Sequence, residues 1–298
     1  MHNAGRLLGS QRVWLPIVAV LVAGCAEGRA SERLTVTVSV VPQAWVVRQI
    51  GGDDVAVLTM VQPGADPHTY QPTDAQVSAV MRGRAYFRIG VPFERGPWFQ
   101  AIQRSATLSV VDMRRGIELR EMAGARDLQG HSHHASSFRD PHIWLSPRLL
   151  KVQAKTVTDA LVELDPPRST QYLERLSKLL RRLDEVDAAI RSRLEPYKGR
   201  AFFVLHPAWG YFADAYDLRQ FAIEREGKSP TDAELTELQR SARREGIKVV
   251  FVQSQVTGRA ARAVATAIGA RLERLDPLAA DVDANLLRLA DAIAESFE

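Results

Sequence analysis

The chain has 298 residues, a formal charge of +4 and one cysteine, with 46% hydrophobic and 25% charged residues. That is ordinary globular composition, long enough for one large domain or two small lobes. No dense basic stripe with interleaved aromatics occurs, which sets nucleic acid aside, and a single cysteine excludes an intramolecular disulfide framework.

Arg6 and Arg12 precede an apolar run from Val13 to Ala23 that is too short to span a bilayer as a stable helix. It leads into Val22-Ala23-Gly24-Cys25, the pattern of a signal peptide ending in a lipobox. Residues 1–24 are expected to leave as a lipoprotein signal peptide and Cys25 to carry the lipid. Arg6 and Arg12 leave with the leader, so the mature chain is close to neutral. It is expected outside the cytoplasm, periplasmic or at the cell surface and lipid-anchored.

The first half alternates strands and helices. Leu34 to Val41 is β-branched enough for a buried strand, and Gln43 to Ile50 reads as a helix stopped by Gly51-Gly52. Val55 to Val61 is a second strand leading into Pro63-Gly64-Ala65-Asp66-Pro67-His68-Thr69-Tyr70. Thr73 with Gln76 makes a capping box for a helix ending near Gly83. Ala85 to Gly90 and Thr107 to Val111 are further strands, with a helix around Glu94 to Arg104 between them. This order implies a parallel sheet covered on both faces, with ligand sites beyond the carboxyl ends of its strands, where His68 lies.

The periodicity fades between Arg114 and Arg139, a polar loop holding His131-Ser132-His133-His134, a short cluster that either captures metal weakly or is simply solvated. Next comes Asp140-Pro141-His142-Ile143-Trp144-Leu145-Ser146-Pro147. Pro141 restricts Asp140, while Ser146 and Pro147 supply an N-cap and a first helical residue, so His142 rides on a short stiff turn. A helix follows to Glu163, and Asp165-Pro166-Pro167 breaks it. From Ser169 to Leu194 apolar residues recur at Leu173, Leu176, Leu179, Leu180, Leu183, Val186 and Ile190. At ~1.5 Å per residue such a helix reaches roughly 40 Å, about the length of a domain, and can join two lobes more stiffly than a loop would. Its repeat covers too few heptads for a coiled-coil dimer, so a monomer is expected.

The second half repeats the arrangement. Ala201 to Leu205 is a strand ending on His206, within Val204-Leu205-His206-Pro207-Ala208-Trp209-Gly210-Tyr211, and Leu218 to Ile223 is a short strand. Thr231 with Glu234 opens a helix closed near Gly246. Lys248 to Gln253 is a third strand, Thr257 to Ile268 a helix, Ala270 to Leu275 a fourth strand ending on Asp276, and a last helix runs from about Val282 to Phe297. The expected fold is α/β: two parallel-sheet lobes, 25–167 and 197–298, joined by a long helix over 168–196, with a metal site in the cleft between them.

Three histidines beside prolines, His68, His142 and His206, look like one site. Neutral imidazoles with one carboxylate suit Zn²⁺ in tetrahedral geometry, whereas a manganese site is usually richer in oxygen. Asp276 is the candidate carboxylate, with water in the fourth position otherwise. Protons should compete with the metal through the histidine range near ~6.5.

These residues resemble the zinc- and manganese-binding solute-binding proteins of ABC importers, of the ZnuA/TroA type, over nearly all of 31–298. The resemblance rests on Pro-Gly-Ala-Asp-Pro-His68 with Tyr70 and Pro72, Asp-Pro-His142-Ile-Trp-Leu-Ser-Pro, His206-Pro-Ala-Trp-Gly-Tyr and Leu275-Asp276-Pro-Leu. It implies that the three histidines and Asp276 bind a divalent metal between two α/β lobes, zinc before manganese, and that the chain hands it to a cognate membrane permease. Members that prefer manganese commonly carry glutamate where this chain has His206. Gln253-Ser254-Gln255 departs from the glutamate many relatives have after the third strand of the second lobe.

Two other classes compete. A hydrolytic zinc enzyme would also use three histidines and an open position, but no His-Glu-x-x-His helix appears, and a carrier rather than an enzyme is expected. A surface adhesin is compatible with metal binding, and no sequence feature tests it.

Overall fold

The computed structural model describes Met1 and residues 33–122, 139–224, 230–253 and 258–298, with backbone alone at 258–261. Cys25 and His131 to His134 lie outside the described residues. Residues 33–298 form one compact unit, and no described helix is long and apolar enough to cross a membrane.

The N-terminal half builds a parallel sheet of β1 (Leu34–Val38), β2 (Val55–Thr59), β3 (Ala85–Arg88) and β4 (Ser109–Asp112) in the order β2-β1-β3-β4. The C-terminal half repeats this with β5 (Ala201–Val204), β6 (Arg219–Ala222), β7 (Val249–Val252) and β8 (Arg271–Arg274) in the order β6-β5-β7-β8. Every pairing is parallel. In both sheets the strand order reverses beside the first strand of the half, so the crevices open at the carboxyl ends of β1 and β5.

Local chemistry explains most helix limits. Thr73 accepts from the Gln76 amide and caps α2 (Asp74–Arg82), and Thr231 does the same with Glu234 for α7 (Asp232–Glu245). Gly246, at φ 66°, then closes α7 in the left-handed conformation. α1 (Val41–Gly51) starts two residues earlier than its apolar pattern suggests. Pro42 sits in its first turn, and the Gln43 side chain accepts from the Ser39 and Val40 amides at 2.9 and 3.0 Å, replacing a Ser or Thr cap. The helix expected over 94–104 divides into a 3₁₀ turn, Pro92–Arg95, and α3 (Pro97–Gln103). Gly96 is extended and Pro97 has no N–H with which to continue the turn.

α4 (Pro147–Leu164) and α5 (Ser169–Leu194) are joined by a 3₁₀ turn over Pro166–Arg168. Ser146 occupies the position before α4, but its side chain makes no capping hydrogen bond. α5 has 26 residues, about 39 Å at 1.5 Å per residue. It packs on α1 and α4 in the first half and on α9 (Val282–Glu295) in the second, burying Tyr172, Leu179, Leu183, Val186, Ile190 and Leu194. One hydrophobic core therefore runs from the first sheet through α5 to one face of the second, where it takes Phe202 and Val204. The alternate residues Phe203 and Leu205 point to the other face, into a separate cluster with Leu238, Val250 and Ile268. That cluster lies under α7 and α8 (Gly258–Ile268).

Candidate metal centre

His68 follows β2 on a turn whose local hydrogen bonds explain its shape. Asp66 Oδ1 accepts from the His68 amide at 2.9 Å, and Gly64 takes a φ of 86° that a side chain would strain. The Tyr70 hydroxyl pins the turn to the first half, 2.8 Å from the Met60 carbonyl and 2.7 Å from Gln76 Oε1. His142 stands before a 3₁₀ turn, Ile143–Leu145. His206 follows β5 by two residues, at the crevice of the second sheet, and leads into the six-residue helix α6 (Gly210–Ala215).

These three turns bring the imidazoles together. One ring nitrogen of each lies within 4.8 Å of the others; the ring centroids stand 4.7 Å apart for His68 and His206, 5.3 Å for His142 and His206, and 6.1 Å for His68 and His142. Zn–N bonds of about 2.0–2.1 Å in tetrahedral geometry need nitrogens about 3.3 Å apart, a spacing near that of nitrogens all within 4.8 Å of one another. His142 is buried, His206 half-buried and His68 at the exposed rim. Among the described residues, His206 Nε2 is a buried polar atom without a hydrogen-bond partner, as a nitrogen meant for a cation would be. The donor set fits zinc.

Carboxylates stand behind two of the rings. Asp140, fully buried, accepts at Oδ1 from the His142 backbone amide at 3.0 Å and faces Nδ1 at 2.7 Å. A carboxylate accepts, so Nδ1 carries the hydrogen and Nε2 keeps its lone pair for metal. Glu224 Oε2 stands farther off, 3.5 Å from His206 Nδ1. The carboxylate two residues before His142 is an Asp-Pro-His signal present in the chain, though its reach to the ring depends on burial. Glu224 has no local signal, because it lies 18 residues after His206 at the end of β6.

Two of the imidazoles, His142 and His68, are pushed toward the neutral form. Burial pushes His142 below the ordinary imidazole range although Asp140 pulls the other way. His68 falls to about 3 through desolvation and through the unfavourable coulombic influence of the neighbouring His206 and His142 rings. Water at the rim softens the desolvation of His68, which stands exposed there. Protonation of these two imidazoles is therefore displaced below the ~6.5 expected for free histidines.

Asp276 stands outside the histidine cluster. It follows β8 by two residues as expected, its Oδ1 accepts from the Leu278 amide at 2.9 Å, and its carbonyl accepts from Asn285 Nδ2 at 2.7 Å. The strand expected over Lys248 to Gln253 is β7, Val249–Val252, so Gln253 lies just beyond it, and Ser254 and Gln255 lie outside the described residues.

The chain was compared with known proteins. A family model described as "ZnuA: Zinc-uptake complex component A periplasmic" matches residues 36–297. A crystal structure of ZnuA superposes with a TM-score of 0.81 at 38% identity, covering 90% of this chain and all of that one. A ZnuA deletion mutant with zinc bound gives 0.80 at 38% identity, over 89% and 98% of the two chains. The high-affinity zinc uptake system protein ZnuA of Bacillus subtilis strain 168 is 26% identical over 275 residues, 87% of this chain and 85% of that protein.

Proposed function

The chain belongs to the family of periplasmic zinc-uptake complex component A proteins, and from that premise we propose that it is the extracytoplasmic solute-binding component of an ABC importer. It captures Zn²⁺ between its two halves and delivers it to a membrane permease. The observation that carries this reading is the convergence of His68, His142 and His206 from both halves onto one point, with His206 Nε2 buried and unpartnered. Three nitrogens favour zinc over manganese, which the Irving–Williams order also places below zinc at such ligands. Asp276 is the proposed fourth ligand, reached by a side-chain rotation that gives up the Leu278 amide and leaves the Pro277 carbonyl in place. The carboxylates behind the rings, Asp140 and Glu224, both face imidazole Nδ1 atoms, which suits them to orienting ligands rather than to accepting a proton from a metal-bound water. We place the chain outside the cytoplasm as a monomer, anchored through a lipid on Cys25.

The test is titration of the mature chain after stripping with chelator. The expected result is one tight Zn²⁺ and a much weaker Mn²⁺; Mn²⁺ bound more tightly than Zn²⁺ would overturn the zinc assignment. Asp276→Ala should weaken Zn²⁺ by more than about a hundredfold, beyond the range of residues that only orient ligands. A loss of tenfold or less would return the fourth position to water.

A further inference from the structure

His142 is flanked on both sides by hydrogen bonds that cross from one half of the molecule to the other. Two residues before it, the Asp140 carbonyl accepts from the Tyr211 hydroxyl of α6 at 2.9 Å. Two residues after it, Trp144 Nε1 donates to the Pro277 carbonyl at 2.7 Å. Trp144 is 1% exposed and Tyr211 8%, so neither bond is traded easily for water.

The Tyr211 hydroxyl is also an acceptor, from the Arg120 amide at 3.1 Å, and Asp140 N–H in turn donates to the Arg120 carbonyl at 3.0 Å. The same Asp140 holds His142 Nδ1, and Tyr211 lies five residues after His206. Hydrogen bonds from His142 to Tyr211, and five residues of chain from Tyr211 to His206, thus connect histidines of opposite halves without using the metal. At the other flank, Pro277 follows Asp276 directly.

We infer that Tyr211 and Trp144 are positioning residues that clip the His142 turn to the C-terminal half before metal arrives, and that they set how slowly zinc leaves. The inference rests on the zinc-carrier reading. Burial, with Asp140 nearby, pushes the Tyr211 phenol up and keeps it a donor. A ligand turn held at one flank can swing outward about the other, whereas one held at both must lose a buried hydrogen bond before His142 can retreat.

The experiment uses the mature full chain with Zn²⁺. Tyr211→Phe and Trp144→Phe each delete a donor and keep an aromatic ring. Each should speed zinc release into excess chelator by about tenfold, with association little changed, and shift the visible d–d bands of the Co²⁺-loaded protein. Tyr216→Phe is the control: that buried phenol of the same half donates to Asp187 at 2.8 Å, and its loss should lower melting temperature alone. Release at the wild-type rate with unchanged Co²⁺ bands in both test variants would overturn the proposal.

Should the variants not fold, exchange of the Trp144 indole N–H in the metal-free wild type decides the matter. Protection comparable to core amides supports a clip formed before binding, and exchange at the rate of a solvent-exposed indole overturns it. A wild-type chain that binds no Zn²⁺ would sink the carrier reading and leave this exchange result intact.

Discussion

Asp-Pro-His occurs twice, at 66–68 and 140–142, and the two copies share one local geometry. In each the aspartate Oδ1 accepts from the histidine amide, at 2.9 and 3.0 Å, because proline fixes the chain between them. They part beyond that bond. Asp66 and His68 are exposed at the rim, whereas Asp140 is completely buried and His142 5% exposed. Only Asp140 turns its Oδ1 onto the ring Nδ1 as well. A tripeptide can shape a turn, but burial decides whether its carboxylate also fixes the tautomer of the ligand. The rim copy leaves its imidazole open to water, and the buried copy holds its imidazole in one orientation.

The comparison is sharpest where the imidazoles are deleted. His142→Ala and His68→Ala should each weaken zinc by more than about a hundredfold, since each removes a proposed ligand. Their metal-free forms should differ. Losing His142 leaves the buried Asp140 short of a donor and costs about 2–3 kcal/mol, while His68→Ala changes stability by about 0.5 kcal/mol or less. Equal metal-free melting temperatures would show that burial does not separate the turns.

A smaller effect is expected behind the rings. Asp140→Asn should weaken zinc about tenfold by disturbing the His142 tautomer. Asp66→Asn, which touches only a backbone amide, should change it by less than about twofold. Chelator competition measures both, and a loss at Asp66 matching that at Asp140 would break the distinction.

The smallest effect is a pH dependence of the metal-free fold. The native pKa of His68 lies at about 3 and that of His142 also below 6.5, so between about 6.5 and 3 the unfolded chain binds protons that the native chain refuses. Stability is unaffected by these groups above about pH 6.5 and falls as pH drops below it. Water at the rim blunts the His68 share, so His142→Ala should flatten the slope more than His68→Ala. Melting temperatures between about pH 7.5 and 4.5 test this, and a flat wild-type profile would argue against neutral, crowded imidazoles.

By itself the sequence determined whatever a few neighbouring residues decide. Thr73 with Gln76 and Thr231 with Glu234 mark two helix starts, because a cap is built within four residues. The apolar repeat from Ser169 to Leu194 sets α5 at both ends, since one helix face needs only its own period. Each histidine was legible as a ligand candidate from the prolines that stiffen its turn. Helix α6 was missed, as six residues carry too little periodicity to register. Tertiary structure alone decided what was done across distance. It set Glu224 behind His206, joined Tyr211 to Asp140 and Trp144 to Pro277 over 71 and 133 residues, and kept Asp276 outside the histidine cluster. Those contacts depend on how two sheets pack along one helix, and the side chains that make them carry no mark of it until burial removes their alternative partner, water.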